Sequence, residues 1–353
     1  MSLRHAAPAL AAALLFGVST PFAKLFGEST PPLLLAGLLY LGSGAGLAML
    51  LLMRRTLGRG EPVGAIPRRD LPWLAGAIIA GGVLGPALLM AGLATTAAAP
   101  AALLLNLEGV ATALIAWCVF KENADRQIVL GMLMIVAGGV LLAWQPVGAG
   151  APLVAPGAML IVAACLCWAV DNNLTRKVSA NDALLIACLK GLSAGVVNTS
   201  LGLLGGGALP AAGPLAATLV VGFAGYGLSL ALFVVALRSL GTARTGAYFS
   251  VAPLFGVALA FALWPQAPAW TFWPAAALMA VGVWLHLRER HEHTHTHAPL
   301  AHAHPHSHDA HHQHVHDFAW DGAEPHTHPH GHAVLTHAHA HYPDIHHRHP
   351  HPH

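Results

Sequence analysis

Glu108 stands in the apolar string LLLNLEGVATALIAW, beside Asn106 and Gly109, and Lys190 interrupts a second apolar string, LLIACLKGLSAG. An ionisable side chain in the hydrocarbon of a bilayer costs roughly 2.5 to 3.5 kcal/mol on insertion scales, so pairing or use has to account for it. Glu108 is therefore expected to be a proton or substrate-charge site in a central cavity, with Asn106 next to it. Lys190 is expected to give that cavity a cationic wall and is a candidate partner for Glu108. The plainer alternative is that both satisfy neighbouring helices, with Lys190 extending its ammonium toward the interface.

Other candidates are less specific. Asp171, Asn172 and Asn173 precede Arg176 and Lys177 at the end of a further apolar stretch. That order suits a gate or vestibule, or simply a helix end capped and matched to interfacial positive charge. Tyr226 and Tyr248 are placed either to face a cavity or to pack structurally. Lys24 and Glu28, four residues apart, read as an interfacial pair. The cysteines Cys118, Cys165, Cys167 and Cys188 fall within apolar segments, where neither a disulfide framework nor a zinc knuckle is built. No G-x-x-x-x-G-K-[ST] loop occurs, so ATP is not expected to be the direct energy source.

Beyond Leu287 the chemistry changes, because this region holds 24 of the 26 histidines. His291, His293, His295, His297, His302 and His304 open a His-x-His series that His306, His308, His311, His312, His314 and His316 continue. Such low-complexity sequence cannot build an apolar core and is expected to be disordered without a ligand. Neutral imidazole, with an ordinary pKa of roughly 6.5, offers a lone pair to metal. Zn²⁺, Ni²⁺, Co²⁺ and Cu²⁺ favour such donors, so the tail is expected to bind transition-metal ions. Repetitive codon expansion and a solubilising, pH-sensitive tail are the alternatives.

The scaffold that must hold these groups follows from composition. A chain of 353 residues that is 56% hydrophobic and 9% charged, with mean hydropathy +0.60, is too apolar for an ordinary soluble domain. No basic cluster interleaves with aromatics, which excludes nucleic acid as a partner. A bilayer core of roughly 30 Å needs about 20 apolar residues per helix. Turn-forming punctuation then places helices at 7–26, 32–53, 72–93, 98–120, 127–144, 156–175, 183–205, 215–237, 245–264 and 270–287. With this count, 14 of the 17 Lys and Arg residues fall on one face, which predicts cytoplasmic termini and a cytoplasmic tail.

Internal similarity is faint. LLLAGLLYLGSG from Leu33 aligns with LLIACLKGLSAG from Leu184, and LLNLEGVATALIAW from Leu104 with YFSVAPLFGVALAF from Tyr248. A five-helix repeat is odd-numbered, so its second copy enters the membrane inverted, as the loop charges also require. The expected fold is an all-α membrane protein of ten transmembrane helices in two inverted five-helix repeats, 1–150 and 151–290, followed by a disordered His-rich tail, 291–353.

The strings LLFGVSTPFAKLFGESTPPLLLAGLLY, APAALLLNLEGVATALIAWCVFKEN and GTARTGAYFSVAPLFGVALAFAL resemble the first, fourth and ninth helices of EamA-type carriers in the drug/metabolite transporter superfamily. The resemblance covers residues 1 to about 290. The second repeat departs from it, having WPQAPAW where the first has the acidic exit Glu122, and Leu39 stands where a basic residue is common. The resemblance implies a secondary carrier in the inner membrane, with no required cofactor and no enzymatic activity. It would move a small organic metabolite or drug-like solute by alternating access, and the family leans toward export. Monomer and homodimer are both compatible. The competing reading is a transition-metal handling or efflux protein whose tail is the functional element. A dedicated metal path calls for several intramembrane ligands, and only Glu108 lies deep.

Overall fold

The computed structural model describes residues 3–57, 66–120, 126–144, 155–265, 267–287, 292–297, 300–306, 326–332 and 335–340. It separates into two units, 1–289 and 290–353. In the first, length and apolarity suffice for seven helical spans to cross a membrane, and three shorter apolar helices accompany them. Large apolar side chains such as Leu204, Trp270 and Val119 lie on its outside. An apolar exterior over packed polar groups is the arrangement that lipid, rather than water, stabilises.

Two long uninterrupted helices open the chain, α1 (Leu3–Gly27) and α2 (Pro32–Thr56). The third span is built of α3 (Leu71–Ala77), a π-helical turn (Ile78–Leu84) and α4 (Gly85–Thr95). The fourth consists of α5 (Ala98–Leu104) and α6 (Asn106–Phe120), interrupted at Leu105. Then come α7 (Arg126–Ala143), α8 (Pro156–Val178) and α9 (Ala183–Leu204). Asp182 fixes the start of α9, its carboxylate accepting from the Leu184 and Leu185 amides at 2.9 and 3.1 Å.

The eighth span repeats the plan of the third: α10 (Ala212–Gly222), a second π-helical turn (Phe223–Leu228), and α11 (Ser229–Phe249). Here the structure differs from the sequence expectation of a connection at 238–244. No proline stops α11, which continues to Phe249; the break falls at Ser250–Val251, just before Pro253 in the first turn of α12 (Ala252–Leu263). In the aligned strings Leu105 lies opposite Phe249 and Asn106 opposite Ser250, so the two interruptions occupy neighbouring positions. The unit closes with α13 (Phe272–Leu287).

Packing pairs particular helices. α2 runs along α9 and α7 along α13, while α1 meets α11 and α12, and α8 meets α4 and α6. Close approach depends on missing side chains: a Cβ added to Gly191 of α9 would stand 2.6 Å from the Gly44 nitrogen of α2. Lipid tails supply no hydrophobic drive between helices, so such backbone contact is what holds them together.

In the second unit four short strands appear, β1 (Glu292–His297), β2 (Leu300–His306), β3 (His326–His332) and β4 (Leu335–Ala340). β1 pairs antiparallel with β4 and β2 with β3. Alternation of His with a second residue has the two-residue period of a strand, and Thr within β1 adds strand preference.

Candidate functional site

The break at Leu105 puts Glu108 in the first turn of α6, where a negative charge meets the positive end of the helix dipole. Its Oε1 accepts from Asn172 Nδ2 at 2.8 Å, and Asn172 also donates to Thr112 Oγ1 at 3.2 Å. Asn173 ties the same two helices, donating to the Thr112 and Ala169 carbonyls at 3.2 and 2.8 Å. Glu108 is 9% exposed, and among the described residues no ion pair reaches it.

Lys190, 1% exposed, does not partner Glu108. Its ammonium donates to Asp171 Oδ1 and, at 3.1 Å, to Thr175 Oγ1, which itself donates to Asp171 Oδ1 at 2.8 Å. The other Asp171 oxygen lies against Gly81, where an added Cβ would overlap it. Asp171 is thus not at a helix end as its neighbours Arg176 and Lys177 imply: α8 continues to Val178 and carries Asp171 inside the bundle, 5% exposed.

Around Glu108 and Asp171 is a cavity of about 60 Å³, with Asn172, Ser229 and a set of aromatic rings in its walls. Phe16 of α1 lines it, 5.7 Å from the Trp168 ring, 5.8 Å from Tyr226 and 5.4 Å from Phe249. Tyr40 lies 5.4 Å from Tyr226. The carbonyl of Gly81, in the first π turn, accepts from both Tyr40 Oη at 3.0 Å and Trp168 Nε1 at 2.9 Å. Asn198 reaches the next two carbonyls of that turn, Gly82 and Val83, at 3.3 and 3.2 Å. A π turn leaves carbonyls out of the regular ladder, and these side chains satisfy them.

The cavity thus gathers four of the residues singled out by sequence, Glu108, Asp171, Asn172 and Tyr226. Asn106 is elsewhere: its amide points to the Met279 sulfur of α13, 4.0 Å away. Tyr248 packs near Ala9 and Ala236, and its neighbour Phe249 lines the cavity instead. Lys24 donates to the Leu93 and Ala94 carbonyls near the end of α4 rather than pairing with Glu28. Sequence reasoning missed Phe16, Tyr40, Trp168 and Phe233, because an aromatic in an apolar helix carries no sign of what it faces. Asn172 was visible as part of a polar triplet inside an apolar run.

Among the described residues no group of three or more His, Cys, Asp or Glu is placed to hold a metal ion. The side chains of His293, His295, His297, His302, His304 and His306 are not described. His291, His308, His311, His312, His314 and His316, like Glu122, lie outside the described residues.

The EamA-like transporter family matches residues 6–144 and, a second time, residues 155–288. The chain belongs to the EamA-like transporter family. An uncharacterized transporter of Methanothermobacter thermautotrophicus is 28% identical over 269 residues, 71% of this chain and 77% of that relative. A solved crystal structure superposes with a TM-score of 0.60 at 20% identity, covering 79% of this chain and 95% of its own, which shows a shared fold. This EamA-like protein is therefore a multi-pass membrane transporter, and its two matched segments both contribute to the cavity: Phe16, Tyr40 and Glu108 from the first, Trp168, Asp171 and Tyr226 from the second.

Proposed function

We propose that the protein is a secondary carrier that moves a small organic solute by alternating access, with the aromatic cavity as the substrate site. The observation that carries this reading is Glu108, a buried carboxylate with no ion pair among the described residues, facing a cavity walled by both family segments. A carboxylate in that position is tolerable when it holds a proton or a substrate charge, and exchange between the two couples transport to a proton gradient.

The helix pairing supports two inverted five-helix repeats. Exchanging the first five spans for the last five turns the contacts of α1 with α11 and α12 into those of α8 with α4 and α6, and leaves α2 with α9 and α7 with α13 in place. The matching π turns and breaks obey the same exchange. In this reading both termini are cytoplasmic, the location is the inner membrane and net movement is outward. Proteoliposomes containing a trapped pH dye and exposed to a library of small solutes test it. Solute-driven proton movement in the wild type and its loss in Glu108→Gln are expected; equal movement in both would remove Glu108 from the mechanism.

A second reading concerns the tail. Its strand register sets histidine opposite histidine, His293 with His339 and His295 with His337 in one ladder, His302 with His330 and His304 with His328 in the other. Histidines recurring at opposed register positions favour Zn²⁺ or Ni²⁺ binding that regulates or accompanies transport. Calorimetric titration of the full chain against a truncation after Arg290 tests it: sub-micromolar Zn²⁺ affinity confined to the full chain is expected, and equal affinity in both sinks it.

A further inference from the structure

We propose that the cavity selects monovalent organic cations, the cationic centre lying between Glu108 and the aromatic faces, with proton and cation occupying the site in turn. The inference rests on the carrier reading and adds the substrate class.

Two carboxylates line the cavity, Asp171 and Glu108. Asp171 is compensated by the Lys190 ammonium, which also donates to Thr175. Glu108 receives only the neutral amide of Asn172 among the described residues. Ionised, the cavity therefore carries one net negative charge in surroundings where an unpaired charge is costly. An anionic solute would meet this carboxylate with no free ammonium among the described lining residues to receive it. A neutral solute would leave the charge uncompensated. A monovalent cation, or one proton, brings the site to neutrality.

The walls agree with the charge. Phe16, Trp168, Tyr226, Tyr40, Phe233 and Phe249 line the same cavity as the carboxylate, and several of these rings pack against one another. Aromatic faces attract cations within about 6 Å of a ring centroid, most strongly when desolvated. Trp168 and Tyr40 have their polar atoms committed to the Gly81 carbonyl, so their rings, not their donors, are what they offer. The size of the cavity, about 60 Å³, fits an ammonium headgroup or a few waters. Other titratable groups near Glu108 are Cys165 and Asp171 of α8, Tyr40 of α2, Tyr226 of the second π turn and, behind Asp171, Lys190 of α9. None of them supplies a second free positive charge.

The full-length protein, purified in detergent and held near neutral pH in weak buffer with a pH dye, is mixed with methylammonium, choline or phenethylammonium. The neutral isostere 3,3-dimethylbutan-1-ol and the zwitterion glycine betaine serve as controls. At least one cation is expected to release about one proton per protein and the controls none. Glu108→Gln is expected to release none while keeping its melting temperature, and Phe16→Leu to weaken cation affinity about tenfold. If Glu108→Gln fails to fold, the comparison of cations with controls in the wild type decides alone. Release by no cation, or equal release by the isostere, overturns the proposal. Proteoliposomes separate the two readings. Proton release without flux removes the carrier reading and leaves the selectivity standing; flux of a neutral or zwitterionic solute, with cations inert, removes the selectivity and leaves the carrier.

Discussion

Replacing Lys190 with Met keeps most of the buried stem and deletes the charge. Asp171 would then be held 5% exposed, bonded only to Thr175, and among the described residues no other basic group pairs with it. Breaking one side of a buried pair costs about 3 to 5 kcal/mol, because the remaining charge is left without compensation. Asp171→Asn should cost a comparable amount by stranding the ammonium. Removing both charges together should cost less than either single change, so the coupling should be at least as large as one single loss, about 3 to 5 kcal/mol. Reversible unfolding in mixed lipid–SDS micelles, followed by tryptophan fluorescence for both single variants and the double, measures this cycle. The parallel cycle with Glu108→Gln should show a smaller coupling to Lys190→Met. A larger coupling to Glu108 than to Asp171 would refute the pairing, and with it the charge balance assigned to the cavity.

Two further outcomes follow from packing and capping. Gly191→Ala should destabilise by about 1 to 3 kcal/mol, since its methyl would meet the Gly44 backbone and the Ser43 hydroxyl, and thermal unfolding in detergent reads it. Asp182→Ala should cost about 1 kcal/mol through loss of the α9 cap, whereas Asp182→Asn, which keeps an acceptor, should lose only the partly exposed Arg54 ion pair. The Asn variant should therefore differ least from wild type at high salt, where that pair is screened.

Glu108 was legible in the sequence because a carboxylate inside a long apolar string has few explanations. That the chain is built of several membrane-length apolar helices was legible for a similar reason: bilayer thickness fixes the length of each apolar run. Asp171 was misplaced because Arg176 and Lys177 resemble an interfacial helix end, and nothing local reveals that Lys190, 19 residues on, folds back from the next helix to pair with it. The π turns were illegible, since Gly81, Gly82, Gly225 and Gly227 read equally well as packing glycines. Strand pairing in the tail escaped because composition argued for disorder while the two-residue period, present in the same letters, argued for strands.

The π turn at Ile78–Leu84 accommodates a residue beyond the ordinary helical pitch, and its carbonyls are tethered by donors from α2, α8 and α9. Reversion to α-helical winding would turn the whole of α4 by about 100° about its own axis. Such a turn would carry the Leu93 carbonyl away from the Lys24 ammonium at the far end of the span. A change of winding at mid-membrane would thus be felt as a lost tether at its rim.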